Sequence, residues 1–224
     1  MLQIGSAELE AILNTILSER GLASLRSYFR ALKGLVEEFA GGKSQGIYEV
    51  LEHHTTLELQ DPQGEVAVVE RRQRVRFLQD NVEAISDHAW GDGELFAEYT
   101  CSPGAPVDCY RDGSRYTTLI SLRQTMSRGD LFSFCIRRKI LKGFLQPNEC
   151  WETDIYQRTR NLSVTILFPK ERRCQRATIT QRNANKTVAL NAERWRLMKD
   201  GRQKVTWEVS RPKLHERYAL KWEW

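Results

Sequence analysis

The sequence predicts an α+β protein, in which an N-terminal helical hairpin is followed by a mostly antiparallel β-sandwich or open barrel. Apolar residues recur at helical spacing over the first forty residues, whereas from Gly46 onward they alternate with polar residues. Turn signals interrupt this alternation about every ten residues, as in all-β folds. The glycine-rich stretch GGKSQG joins the two parts, so we predict domains at residues 1–43 and 44–224.

Two apolar stripes define the predicted hairpin. The first helix carries its stripe on Leu9, Ile12, Leu13, Ile16 and Leu17, and the second on Leu25, Phe29, Leu32, Val36 and Phe39. Two helices alone cannot bury both stripes, so we expect the hairpin to dock on the rest of the chain, on another copy or on a protein partner. The predicted partner-binding residues are Leu9, Leu13, Phe29, Leu32 and Val36.

A long β-hairpin is predicted around the turn DPQG at residues 61–64. Pairing its arms so that residue numbers sum to 125 places Tyr48 opposite Phe77 and Leu57 opposite Val68. In this register the apolar face changes sides between the turn and the far end. Such a change requires a β-bulge or a passage between sheets.

The remaining segments alternate in the same way and predict eight to ten strands in all. The last two strands carry aromatic residues on one face, in TWEV and in the closing YALKWEW. We interpret them as neighbouring core strands, because exposing several such rings would promote aggregation. The alternative is a ligand-stacking platform centred on Trp224.

Charge is distributed unevenly along the chain. Residues 44–110 carry 4 basic and 13 acidic side chains, whereas residues 111–224 carry 25 basic and 11 acidic ones. The basic half is a candidate nucleic-acid surface, and the charges of the two halves could equally neutralise one another within one fold. The candidate nucleic-acid-binding residues are Arg137, Lys139, Lys142, Lys170, Arg172, Arg173 and Arg176.

The sequence offers little for catalysis or metal binding. His53 and His54 are adjacent on a predicted strand, so their side chains point to opposite faces. The five cysteines lack zinc-ligand spacing, and we expect them to be reduced thiols. We therefore predict a non-enzymatic protein with no catalytic residues, no metal and no cofactor. The N-terminus has no basic region of a signal peptide, so a cytoplasmic location is expected.

The order of DGR, TWEV, RP and YALKWEW, preceded by LFPKERRCQR, resembles the β-rich C-terminal modules of uncharacterised bacterial proteins, some attached to signalling or defence systems. The resemblance covers about residues 46–224 and implies no catalytic residues. Together with the unpaired helical stripes, it favours a regulatory or interaction module that recognises a protein partner. The alternative hypothesis is a nucleic-acid-binding protein that uses residues 111–224.

Overall fold

A computed structural model describes residues 46–224 and shows an almost entirely β fold in this part of the chain. The described residues form fourteen strands and one short 3₁₀ turn at Ala192–Arg194. In chain order the strands are β1 (Tyr48–Leu59), β2 (Val66–Phe77), β3 (Val82–Trp90), β4 (Glu94–Ser102), β5 (Ala105–Asp112), β6 (Arg115–Met126), β7 (Leu131–Leu141), β8 (Asn148–Asp154), β9 (Thr159–Phe168), β10 (Arg176–Gln181), β11 (Lys186–Ala189), β12 (Trp195–Leu197), β13 (Gln203–Ser210) and β14 (Arg217–Glu223).

The strands are arranged in three sheets. Sheet A has seven strands in the order β12-β13-β9-β1-β2-β7-β4, sheet B has the order β3-β6-β5, and sheet C has the order β11-β10-β14-β8. Pairing is antiparallel throughout the described sheets except between β1 and β9, where Val50 faces Thr159 and Leu57 faces Ile166 in parallel register. The mostly antiparallel, sandwich-like part of the prediction is therefore confirmed for these residues.

The α+β class is wrong for the described part of the chain, which is all-β. The helical half of that prediction rested only on the periodicity of residues 1–43. These residues, and with them the predicted hairpin and its partner-binding side chains Leu9, Leu13, Phe29, Leu32 and Val36, lie outside the described residues. The predicted domain boundary near residue 44 remains a prediction.

A β-bulge in β1 determines which face of sheet A is buried. Tyr48 pairs with Phe77 and Val50 with Val75, but beyond the register shift between Val50 and Glu52 the partners are His53 with Gln73 and Leu57 with Val69. The odd-numbered residues of β2 share one face, because side chains alternate along a strand. The bulge therefore keeps the apolar residues of both arms on one face. Of the two predicted alternatives, a bulge or a passage between sheets, the structure shows the bulge, and the predicted change of face is wrong.

Sheets B and C cover different parts of this inner face of sheet A. One hydrophobic cluster joins Leu57, Val69 and Ile166 of sheet A to Leu220 and Trp222 of sheet C. The other joins residues of sheet A and sheet B at the opposite end of the β1–β2 ribbon, including Val50, Val75, Phe77, Phe132, Ile85 and Ile120. The inner face thus carries two apolar regions with a polar stretch between them.

The closing aromatic strand is part of the core, as the alternation predicted. Trp222 and Trp224 are 3% and 5% exposed, and their rings contact the ring of Phe168 with centroids 6.0 Å away in both cases. The predicted pairing of the last two strands is wrong, because β13 lies in sheet A and β14 in sheet C. They face each other across the core, where the Trp207 and Tyr218 ring centroids are 5.1 Å apart.

Candidate functional site

A cleft of about 440 Å³ is lined by the end of β8 and by two loops of sheet C. Glu152 and Asp154 belong to β8, and Tyr156 follows it. Arg182 and Asn183 lie in the β10–β11 turn, and residues 215–217 lead into β14. Because β14 pairs with both β8 and β10, sheet C brings these three segments of the chain to one edge.

Two arginines at the cleft are hydrogen-bonded to carboxylates that are less exposed than the arginines themselves. Arg217 donates to both carboxylate oxygens of Asp154, at 2.5 Å from Nε and 3.0 Å from Nη2, and its Nη1 lies 3.4 Å from Glu152 Oε2. Arg182 Nη2 donates to Glu152 Oε1 at 2.6 Å. The carboxylate side chains are only 13% and 9% exposed, whereas the two arginine side chains are 46% and 44% exposed. The hydrogen bond to Asp154 raises the pKa of Arg217, so the guanidinium remains charged.

Glu216 fixes the two loops of the cleft to each other. It is 2% exposed, and its Oε1 accepts hydrogen bonds from the backbone N–H groups of Asn183 at 2.7 Å and Arg217 at 3.0 Å. The Asn183 side-chain amide also donates to the His215 carbonyl at 2.5 Å. The other carboxylate oxygen, Oε2, has no hydrogen-bond partner among residues 46–224. Glu216 therefore bonds the β10–β11 turn to the start of β14 and so maintains the shape of the cleft.

Aromatic and cationic side chains continue the cleft onto the outer face of sheet B. The Trp90 indole donates to Glu152 Oε2 at 3.3 Å. The Arg115 guanidinium lies 4.8 Å from the Tyr156 ring centroid and 5.6 Å from that of Trp90, typical of cation–π contacts. His88 is next to Tyr156, and burial lowers its pKa to about 4. The imidazole is therefore neutral near pH 7.

A second polar group, which we call the inner polar layer, lies on the inner face of sheet A between the two apolar clusters. Its residues come from sheet A and, in one case, from β3 of sheet B: His53, Thr55, Arg71, Gln73, Asp87, Tyr99 and Arg138. Gln73 Nε2 lies 3.0 Å from His53 Nδ1, and His53 Nε2 lies 3.0 Å from Thr55 Oγ1. An amide nitrogen can only donate, so Nδ1 accepts and the proton of the neutral imidazole is on Nε2.

An ion pair connects sheets A and B within this layer. Arg71 Nη1 lies 2.7 Å from Asp87 Oδ1, and the Tyr99 hydroxyl donates to Asp87 Oδ2 at 2.9 Å. Burial acts to raise the pKa of Asp87, but the guanidinium groups of Arg71 and Arg138 outweigh it and hold that pKa below the usual value. Burial lowers the pKa of His53 to about 3, and the Arg71 charge adds to this effect. Asp87 is thus ionised and His53 neutral near pH 7.

The structure separates the predicted nucleic-acid-binding residues into two groups. Arg137 and Lys139 lie on the outer face of β7, where Lys139 Nζ is 3.2 Å from Glu98 Oε1. Lys142, Lys170, Arg172, Arg173 and Arg176 lie at or beyond the ends of β7, β9 and β10. Of this second group, Arg172 covers the Trp224 ring at 4.0 Å and donates to the Pro62 carbonyl at 3.0 Å. Arg172 therefore packs on the core, and Trp224 is not an exposed stacking platform.

The cysteines and candidate metal ligands are also defined by the structure. All five cysteines lie in the described part and are free, with Cys101 and Cys174 buried and Cys109 exposed. Within residues 46–224, no three or more His, Cys, Asp or Glu side chains cluster as a metal site would require. No helix in this range is long and apolar enough to cross a membrane.

No protein-family model matches the sequence, and a search of curated proteins finds no match either. The cleft must therefore be interpreted from its own chemistry.

The cleft residues were not among the predicted site residues. One signal was present in the sequence: Glu152 and Asp154 are two residues apart on a predicted strand, which places both carboxylates on one face. Their partners Arg182 and Arg217 lie some 30 and 63 residues further along the chain, and the sequence alone gives no indication of this pairing.

Proposed function

We propose that this protein is a non-enzymatic regulatory or interaction module, and that the cleft on sheet C recognises a polypeptide segment of a protein partner. The observation that supports this proposal is the balance of charge in the cleft. Glu152, Asp154 and Glu216 face Arg182 and Arg217, with Arg115 adjoining them. With the adjoining Arg115 counted, three cations stand against three anions, and such a mixture suits a ligand that offers both hydrogen-bond donors and acceptors, as peptide groups do.

The bonding of the carboxylates favours binding over catalysis. Glu152 accepts from Arg182, Arg217 and Trp90, and Asp154 accepts from Arg217 and Tyr156. A general acid or base needs a pKa near the working pH and a proton to exchange with substrate. The oxygens of both carboxylates are instead already hydrogen-bonded to the two guanidinium groups. These residues are thus suited to positioning the two arginines.

Peptide selection tests this proposal. A random peptide library is panned against residues 1–224, and recovered peptides are measured by fluorescence anisotropy with the Arg182→Glu variant and with an outer-face control, Arg74→Glu. Both side chains are about half exposed, so neither change should disturb the core. We expect Arg182→Glu to weaken binding at least about tenfold, corresponding to 1.4 kcal/mol, and Arg74→Glu to have no effect. Equal binding to both variants, or no enriched peptide, would contradict the proposal.

Nucleic-acid binding is the second candidate function. The observation that favours it is the exposure of Lys142, Lys170, Arg173 and Arg176 around neighbouring strand ends. Binding through phosphate contacts must weaken as salt rises, with a log–log slope of about −0.7 to −0.9 per contact. We would measure the affinity for a labelled single strand between 50 and 300 mM salt, roughly the range over which such contacts are lost. The test variant is Lys170→Ser with Arg173→Ser, and Lys186→Ser is the control. A flat salt response would exclude this function.

A further inference from the structure

The inner polar layer contains more positive than negative charge. Arg71 and Arg138 are both cations, and Asp87 forms an ion pair with Arg71 and is close enough to Arg138 for that charge also to lower its pKa. The neighbouring His53 is neutral, and the Tyr99 hydroxyl donates a hydrogen bond to Asp87 and adds no charge. Arginine does not lose its proton in proteins, so the layer carries a net charge of about +1. A buried charge without a counter-charge is strongly destabilising.

Arg71 and Arg138 lie on neighbouring strands and on the same inner face of sheet A. Arg71 pairs with Ile136 of β7, and Arg138 pairs with Val69 of β2, so the two arginines are diagonal neighbours. Diagonal neighbours are about 7–8 Å apart at the backbone, within reach of long side chains. Tyr99 pairs directly with Arg138 on the other side. The Arg71 guanidinium contacts Asp87 of sheet B, and the Arg138 guanidinium lies over the Trp151 ring of sheet C, so the two cations enter the layer from adjacent positions.

Several N–H groups in this region are buried and without partners. Among residues 46–224, no hydrogen-bond partner is found for Arg71 Nε, Arg138 Nη1 or Trp151 Nε1. Arg138 is 8% exposed and lies over the Trp151 ring, 5.5 Å from its centroid. The unpaired groups are all donors, apart from Asp87 Oδ1, which already contacts Arg71. The region thus has more donors than acceptors and one more positive than negative charge.

We propose that the inner polar layer binds a small monovalent inorganic anion of the halide type between Arg71 and Arg138. A halide accepts hydrogen bonds from several N–H groups at once and has no hydrogen of its own to donate. It therefore matches a set of unpaired groups that are nearly all donors. One such ion neutralises the layer. The Arg71 side chain remains 21% exposed, so a small ion can approach it without separation of the sheets. Burial works against the charge of Arg138, which lowers its pKa and shows how poorly that charge is solvated.

Bromide provides a direct test, because its anomalous scattering distinguishes it from water. Crystals of the full chain grown in sodium bromide should show an anomalous peak within hydrogen-bond distance of Arg71 and Arg138. The proposal would be overturned if no anomalous peak is found at this position, or if ordered water occupies it instead. Bromide bound only at surface lysines would overturn it as well. This measurement uses the unaltered protein, so it does not depend on whether a variant folds.

Thermal unfolding provides the second test. At constant ionic strength, replacing the much larger anion gluconate with bromide should raise the midpoint by about 3–6 °C for each tenfold increase above the dissociation constant. Arg138→Met should abolish this dependence. The matched control is Arg137→Met, because Arg137 is the next residue and faces outward on the same strand. A midpoint that is independent of bromide in the unaltered protein, or the same dependence in Arg138→Met, would contradict the proposal.

Discussion

The Gln73 side chain donates a hydrogen bond of 3.0 Å to His53 Nδ1, and this bond requires His53 to be neutral. Protonation of the ring would remove the acceptor and place another cation beside Arg71. The pairing therefore links the state of one imidazole to the stability of the whole inner face of sheet A.

Stability should fall as the pH is lowered from about 6.5 toward 4. Burial lowers the pKa of His53 to about 3 and that of His88 to about 4, both from 6.5. At a pH between the folded-state pKa and 6.5, the unfolded chain binds a proton at each histidine that the folded chain does not. Each histidine therefore lowers the free energy of unfolding by up to about 1.4 kcal/mol for every unit by which the pH falls. Urea unfolding at pH 4.5–7.5 measures this slope.

The variant His53→Gln should make that slope shallower. Glutamine can accept from Gln73 and donate to Thr55 without titrating. His54→Gln is the control, because His54 lies on the opposite face with about half its side chain exposed. Identical slopes for the two variants would show that His53 is not the group responsible.

Two glycines in turns should respond differently to alanine. Gly64 (φ +77°) and Gly113 (φ +58°) are both in the left-handed region, which costs a residue with a Cβ about 1–2 kcal/mol. A Cβ at Gly64 would also lie 1.9 Å from the Phe144 carbonyl oxygen, whereas a Cβ at Gly113 meets nothing within 4 Å. We therefore expect Gly64→Ala to lose about 1–3 kcal/mol more than Gly113→Ala, measured by urea unfolding. Equal losses would contradict the close approach of these two loops.

Alkylation should distinguish the five cysteines. Burial raises the pKa of Cys101 to about 11 and of Cys174 to about 12, so neither is a thiolate near pH 8. Burial also raises the pKa of Cys150, although that residue is exposed. We expect iodoacetamide to modify Cys109 first in the folded protein, as read by peptide mass spectrometry over time. Modification of Cys174 at the same rate as Cys109 would contradict its burial.

Replacements at Trp222 should separate the size of the side chain from its polarity. The ring contacts Phe144 and Phe168 at centroid distances of 5.8 and 6.0 Å, so Trp222→Ala should cost about 3–5 kcal/mol. The indole N–H has no hydrogen-bond partner in the described part of the chain. Trp222→Phe removes that unpaired donor and keeps a ring, so we expect it to cost under about 1.5 kcal/mol.

Leu197→Ala is the control for these replacements, because Leu197 is 63% exposed and should change stability by less than about 0.5 kcal/mol. Chemical unfolding followed by tryptophan fluorescence measures all three. A cost for Trp222→Ala near that of Leu197→Ala would contradict the core position of the last strand.

Local patterns predicted eight to ten strands, whereas the described residues form fourteen, and the prediction missed β3, β4, β5 and β12. The pairing was predicted only in part. The assumed register was right at one end of the first hairpin, where Tyr48 faces Phe77, and wrong by one residue near the turn, where Leu57 faces Val69. The difference is the bulge, whose position depends on what packs against the ribbon. Alternation of apolar and polar residues indicates that one face of a strand is buried. It does not indicate which strand, distant in sequence, pairs with that strand.

The candidate site was less predictable than the fold. Asp154 and Arg217 form a two-bond ion pair, yet neither residue type is unusual at the surface of a sheet. The inner polar layer was visible only as the polar break HHTT opposite ERRQ in the first hairpin. The charge and hydrogen bonding of this layer depend on Asp87 of β3 and Arg138 of β7, which only the folded structure brings next to the first hairpin.

The parallel pairing of β1 with β9 determines when sheet A can be completed during synthesis. Val50 meets Thr159 across more than a hundred intervening residues, so the middle of the sheet is joined only after β9 has left the ribosome. Contacts this distant in sequence slow folding, because a long loop must close before they form. Until then one edge of β1 offers unpaired peptide groups to any neighbouring chain. A nascent chain ending before residue 159 should therefore bind holding chaperones, whereas the released full-length protein should not.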